Sequence, residues 1–271
     1  MNQNKTPYIF VVGNEKGGAG KTTCSMHLII GLLDRGYKVA SIDTDARQHS
    51  LTTYINNRKE YNKKNQTHNV DMPLHFHLKE ASGYDSIETK EKNEKEQFEQ
   101  AFNMAKNHAD YVVIDTPGSH TNLSRIAHSY ADTIITPIND SFIDLDVMGK
   151  INGETMKIDK PSIYSQMIWE QKMERATRDR GEIKWVVVRN RLSNLDAQNK
   201  RNVADSLEQL SKRISFQIAP GFSERVIFRE LFPHGLTLLD LKKANFNKAF
   251  SISHVAARQE LRNFLDNLGV K

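Results

Sequence analysis

The residues with the clearest chemical capacity lie in the stretch GNEKGGAGKTT, Gly13 to Thr23. It follows the apolar run Tyr8 to Val12 and precedes a helical pattern carrying His27, Leu28, Ile29, Leu32 and Leu33. A strand, a glycine-rich turn and a helix start, in that order, form the context of a phosphate-binding loop. Gly17, Gly18 and Gly20, with Ala19 between them, let the backbone curl until successive N–H groups point inward, and a helix N-terminus adds partial positive charge. Lys21 is then expected on the terminal phosphates of a nucleotide, Thr22 on a magnesium ion, and Thr23 beside them. A glycine-rich turn with a surface lysine is the plainer alternative, but it leaves the flanking strand and helix unexplained.

Two acidic motifs fit the same chemistry. Tyr111 to Ile114 is a near-continuous apolar strand ending in Asp115, Thr116, Pro117 and Gly118, the pattern in which the terminal acid holds magnesium through water. Thr116 to His120 is expected to be the loop that senses the last phosphate. The short strand KVASI, Lys38 to Ile42, runs into Asp43, Thr44 and Asp45. Carboxylates at that end of a buried strand lie on the edge where open α/β sheets bind ligands.

One position departs from the usual G-x-x-x-x-G-K-[ST] spacing. Glu15 stands where the first glycine belongs, and Lys16 follows it. The string KGGAGKTT resembles the deviant Walker A motif of the MinD/ParA class of P-loop ATPases, several of which also lack that glycine. The resemblance implies that Lys16 crosses a dimer interface to the partner's nucleotide. It implies that Asp45 in DTDARQ orients the attacking water, with Asp43 a supporting carboxylate near the metal. It also implies that Asn190, directly after the strand KWVVV, reads the adenine edge, with Pro220 close by.

With TPINDSF, VVVRNRL, RVIFRELFPHGLTLLDL and HVAARQELR in order, nearly the whole chain resembles the division-plane-positioning branch of that superfamily. The implied behaviour is an ATP-driven monomer-dimer switch with magnesium. Its dimer would bind DNA without sequence preference, interact with ParB, inhibit FtsZ assembly and associate with the nucleoid. Arg191, Lys200, Arg201 and Arg225 are the DNA-binding candidates. A ParA-type partition motor would share the loop but not the C-terminal half. A membrane-binding MinD-like regulator would need a lysine-rich face opposite Leu261, Phe264, Leu265 and Leu268, where Asn263, Asp266 and Asn267 occur instead.

Composition is consistent with these readings. The 271 residues suffice for one substantial core, so residues 1 to 271 are expected to form a single α/β domain, a mainly parallel sheet with helices on both faces. No long apolar run and no secretory leader are seen, and a cytoplasmic protein without stable membrane association is expected. Cys24, the single cysteine, precludes an internal disulfide and reads as a small buried helix residue. The formal charge is +5, and between Lys172 and Arg229 thirteen Lys and Arg face seven Asp and Glu. Such a surplus suits a polyanion or a solvated face.

The elements that must position these residues follow from periodicity. Helices are expected over Thr22 to Leu33, from about Phe98 to Ala105, over Asp196 to Leu210 and at the C-terminus, and strands at Thr133 to Pro137, Lys184 to Val188 and Phe216 to Pro220. Leu74, Phe76 and Leu78 alternate with His75 and His77, which predicts a strand with the histidines on its exposed face. Residues 56 to 69, rich in lysine and asparagine, read as a solvated connection. Arg225 and Arg229 are expected on one helical face.

Overall fold

The computed structural model describes residues 6–79, 86–151, 158–192, 197–244 and 252–270. Seven strands form one parallel sheet: β1 (Tyr8–Val12), β2 (Val39–Asp43), β3 (Leu74–His77), β4 (Tyr111–Asp115), β5 (Thr133–Asn139), β8 (Lys184–Asn190) and β9 (Gln217–Ala219). Their spatial order is β3-β2-β4-β1-β5-β8-β9. A separate antiparallel pair, β6 (Gly149–Ile151) and β7 (Ile158–Pro161), lies outside the main sheet.

Alternation within the strands builds two cores. Ile9, Val11, Ala40, Ile42, Val112 and Ile114 point to one face, where they meet α3 (Ile87–His108), α4 (Asn122–Ser129), α6 (Ile163–Asp179) and α7 (Ala197–Ile214). Phe10, Val12, Val39, Val113 and Ile135 point to the other, against α1 (Lys21–Asp34), α2 (Ser50–Lys64) and α9 (Ile252–Asn267). Strands covered on both sides must be apolar throughout, which is why the sequence shows runs such as IFVV and YVVI. Two short helices, α5 (Phe142–Leu145) and α8 (Ile227–Leu231), complete the described elements together with two 3₁₀ turns.

The expected helices and strands are present, with α2 the main correction. The segment expected to be a solvated connection stays helical as far as Lys64, and Arg58 within it is fully buried. Its guanidinium forms a bidentate pair with Asp240 at 2.7 and 2.8 Å and donates to the carbonyls of Asp71 and Gly235. Gly235, at φ +65°, lets the chain pass so close that an added Cβ would lie 2.0 Å from the Arg58 backbone nitrogen. A paired, fully bonded arginine can be interior even though composition marks the segment as polar.

Around the edge strand β3, Phe76 and Leu78 pack into the first core and His77 is exposed, as expected, but Leu74 and His75 differ. Leu74 is 43% exposed, whereas His75 turns inward and hydrogen bonds Ser41 Oγ at 2.8 Å and Thr52 Oγ1 at 3.1 Å. Thr52 of α2 draws in His75 alone. The expected Arg225/Arg229 helical face is absent, because the helix begins at Ile227 and Arg225 precedes it. The C-terminal helix packs on the domain as expected: Leu261, Phe264 and Leu265 are buried, and Leu265 closes on Gly31 of α1. Cys24 is buried as expected, with its thiol pushed strongly towards the protonated form by desolvation.

Candidate functional site

Because the strands run parallel, Asp43, Asp115, Asn139 and Asn190 all end at the same sheet edge. Asp115 is level with Val12 on one side and Asp43 on the other. The loop leaving β1 turns through Gly18 (φ +75°) and Gly20 (φ +91°), and Gly20 caps α1. A side chain at position 20 would also strike Asn190, whose Nδ2 would lie 2.2 Å from an added Cβ and donates to the Ala19 carbonyl at 2.9 Å. Gly13 is equally constrained, since a Cβ there would lie 2.3 Å from His128 Nε2 and 3.0 Å from the Tyr164 hydroxyl.

These elements enclose a cavity of about 520 Å³ lined by Gly17, Gly18, Gly20, Lys21, Thr22, Thr23, Asp45 and Asp115. The Pro117 to Ser119 loop closes its far wall. A neighbouring cavity of about 290 Å³ holds Asn190, Arg191, Arg225 and Phe228, and Phe232 borders both. A phosphate chain and an attached base need two connected spaces of this kind. Pro220 is exposed just beyond β9 and lines neither cavity.

Hydrogen bonds fix the acidic centre. Thr22 Oγ1 donates to Asp115 Oδ2 at 2.8 Å, and Ser25 Oγ donates to Oδ1 at 2.7 Å. Thr44 ties the end of β2 to the Asp115 carbonyl through both its amide and its hydroxyl. Burial, followed by the nearby Asp43 charge, pushes the Asp115 carboxyl up to about 7, against the opposing effects of Ser25, Thr22 and Lys21. Burial also raises Asp43 and lowers Lys21. Two buried acids facing one buried amine leave the centre short of positive charge, and a divalent cation beside Thr22 and Asp115 suits that deficit. Among the described residues no three His, Cys, Asp or Glu side chains form a metal cage. The donor set therefore fits a cation that takes most of its ligands from phosphate and water.

The other expected residues occupy distinct positions. Asp43 accepts from the Asp45 amide and from both the amide and hydroxyl of Thr52, so its oxygens fasten the first turn of α2 to the sheet edge. Asp43 acts on Asp115 through its charge, with no hydrogen bond between the two side chains among those described. Asp45 lines the cavity, and its Oδ1 accepts from the amides of Arg47 and Gln48. Lys21 Nζ donates to the Lys16 carbonyl at 3.1 Å. Lys16 itself does not line the cavity, and its ammonium is 2.8 Å from Asp144 Oδ1.

Two of the DNA candidates, Arg191 and Arg225, border the same cavity. Arg191 borders both cavities at φ +52°, Arg225 is paired with Glu260 at 2.6 Å, and Arg201 is exposed on α7. The side chain of Lys200 lies outside the described residues. Elsewhere in the basic segment, Arg175 pairs with Asp132 and Asp179, Arg229 pairs with Glu224, and Arg189 meets Asp140. Three of these arginines, Arg175, Arg189 and Arg225, are thus answered by acids from outside the segment.

Several residues at the site carry little or no signal in the sequence. Ser25 follows Lys21 by one helical turn, and only that helical spacing could have placed it beside Asp115. Phe228 and Phe232 are likewise four apart in a stretch that reads simply as apolar. The buried network under the loop, in which Tyr164 bonds Thr136 at 3.0 Å and Trp185 Nε1 donates to the same Thr136 hydroxyl at 3.0 Å, joins residues with no local sequence signal.

The glycine loop, the paired sheet-edge acids and the parallel strand order together define a P-loop nucleotide-binding protein of the MinD/ParA fold. The sequence profile of the family described as ATPase MipZ matches residues 8–271, and this chain belongs to that family. It is 28% identical over 165 residues to the septum site-determining protein MinD of Helicobacter pylori, a match covering 56% of this chain and 62% of that protein. The structure of a Cyanothece McdA variant in complex with ATP is similar with a TM-score of 0.64 at 16% identity, covering 98% of each chain. MinD of Pyrococcus horikoshii complexed with Mg-ADP is similar with a TM-score of 0.58 at 16% identity, covering 97% of each chain.

Proposed function

We propose that the chain acts as one ATPase domain and as an ATP-dependent monomer-dimer switch that regulates the placement of division by inhibiting FtsZ assembly. The dimer binds DNA without sequence preference, interacts with ParB and associates with the nucleoid. The observation that carries this reading is the division of labour between two lysines of one loop: Lys21 lines the nucleotide cavity and Lys16 stands outside it. An amine outside its own cavity can neutralise charge on a second copy's nucleotide once it leaves Asp144. The ATP and Mg-ADP named for the two similar structures support the nucleotide and metal assignments. Among the described residues no helix is long and apolar enough to cross a membrane.

In this mechanism the loop amides and Lys21 hold the phosphates, while Asn190 and the Phe228/Phe232 wall border the space for the base. Thr22 and Asp115 would hold magnesium, whose chemistry there would be the shielding of phosphate charge. Asp45, at the cavity wall, orients the attacking water. Gly118 stands close to Lys21 and Gly17, with a Cβ there 3.1 Å from Lys21 Nζ, which supports reading the Thr116 to His120 loop as the one that senses the last phosphate. Duplicating a basic surface doubles its phosphate contacts, which strengthens DNA binding steeply.

The test combines sedimentation with and without ATP and magnesium and FtsZ polymerisation under the same conditions. The expected result is a nucleotide-dependent dimer and suppressed FtsZ assembly. A dimer that binds DNA while leaving FtsZ untouched would favour a ParA-type partition role instead.

A further inference from the structure

Lys16 already has a partner within its own chain. Its ammonium lies 2.8 Å from Asp144 Oδ1, with the Lys16 side chain 33% and the Asp144 side chain 6% exposed. The other Asp144 oxygen accepts from Ser141 Oγ at 2.6 Å, and the Asp144 amide donates back to Ser141 Oγ. That reciprocal cap fixes the carboxylate on the turn after β5. The lysine is fixed as well, because its amide donates to Asn14 Oδ1 at 2.7 Å and the Asn14 amide is anchored on the Pro137 carbonyl at 2.7 Å. Asn14 and Asp144 thus hold the Lys16 backbone and head group against the chain around the end of β5.

We propose that Asp144 is the resting counter-ion of Lys16, a positioning residue that withholds this lysine from a partner's nucleotide and thereby sets the threshold for nucleotide-dependent dimerisation. The proposal rests on the dimer switch argued above. For Lys16 to reach across an interface it must leave a mostly buried carboxylate, whose Oδ1 then loses its charged partner. Separating such a pair is costly, and the gain from a partner's phosphate oxygens must exceed that cost. ADP, with one phosphoryl group fewer, offers Lys16 less negative charge in exchange for Asp144. The ion pair therefore makes the monomer the default and makes dimerisation depend on the full triphosphate.

Asp144→Asn tests this, because the amide oxygen can still accept from Ser141 while the charge is removed. In nucleotide-free protein, acylation of Lys16 by an amine-reactive ester, followed by peptide mass mapping, is expected to speed up several-fold. Lys243, paired with Asp34 and Asp71, serves as an internal control whose rate stays constant. With ATP and magnesium, sedimentation is expected to show a dimer dissociation constant about tenfold lower than wild type. Equal Lys16 labelling in the two proteins would overturn the ion pair, and faster labelling with an unchanged dissociation constant would overturn its role as a threshold. A wild type that remains monomeric at saturating ATP and magnesium overturns the dimer switch itself, while the labelling comparison still decides the ion pair.

Discussion

Thr22 and Asp115 meet through a 2.8 Å hydrogen bond that joins the first turn of the loop helix to the end of a central strand. The bond places a hydroxyl and a buried carboxylate where a cation would be shared. Asp115→Asn is expected to lower magnesium-dependent nucleotide affinity by at least about tenfold, read by calorimetry with and without magnesium. The same change should stabilise the nucleotide-free protein. The Asp115 carboxyl titrates near 7 in the fold against 3.8 ordinarily, so wild-type stability falls as pH rises between those values. The advantage of the Asn variant should therefore be absent near pH 4, grow to pH 7 and level off above it. A wild type and variant whose melting temperatures run in parallel across that range would contradict the assignment.

Lys16→Ala is expected to abolish nucleotide-dependent dimerisation while leaving ATP binding within about threefold of wild type, since Lys16 does not line the cavity. Asp45→Ala should do the opposite and accumulate dimer, because association is retained and hydrolysis is impaired. Sedimentation with ATP, beside a phosphate-release assay, separates the two. Identical behaviour of both variants and wild type would refute the roles.

Gly13→Ala places a methyl group against His128 and Tyr164, which belong to the buried network beneath the loop. The crowding should destabilise the protein by about 1–3 kcal/mol in urea unfolding and weaken nucleotide binding as the loop shifts. Tolerance of alanine at both levels would show that the network yields more readily than its close packing implies.

Two buried histidines, His27 and His128, and the half-buried His75 are each depressed to about 4 from 6.5, with burial the leading cause. A depressed folded value means that the unfolded chain takes up the proton first, so stability is full above about 6.5 and declines as pH falls towards 4. Each histidine adds up to about 1.4 kcal/mol per pH unit to that decline. His75→Asn should make the acid limb of a urea-midpoint profile shallower, and an unchanged slope would mean that His75 is charged in the fold.

Arg191 is the DNA candidate placed beside both cavities. Arg191→Ala should make the slope of log affinity against log salt shallower by about one unit for each phosphate no longer neutralised, with equal effect on unrelated sequences. A weakening confined to one sequence, or an unaltered slope, would remove Arg191 from the DNA surface.

Legibility followed the range of the interactions. The loop, the Asp115 strand and the helix-strand alternation depend on neighbours in sequence, and residues such as Gly20 and Thr22 announced their roles through spacing alone. Arg58, His75 and Asp144 did not, because each takes its character from a distant partner: Asp240 with Arg58, Ser41 and Thr52 with His75, and Lys16 with Asp144. The basic segment misleads for the same reason, since local counting cannot see that Arg225 is answered by Glu260 or Arg175 by Asp132.

The packing of α9 on α1 has a consequence for biosynthesis. Leu265 fits against Gly31, and Arg35 bonds Asp266, so the back of the helix that begins at Lys21 is sealed by residues made more than two hundred positions later. While the nascent chain is still emerging from the ribosome, that apolar surface stays uncovered and open to chaperones. Final closure of the interior must wait until the stretch Ile252–Asn267 has cleared the exit tunnel.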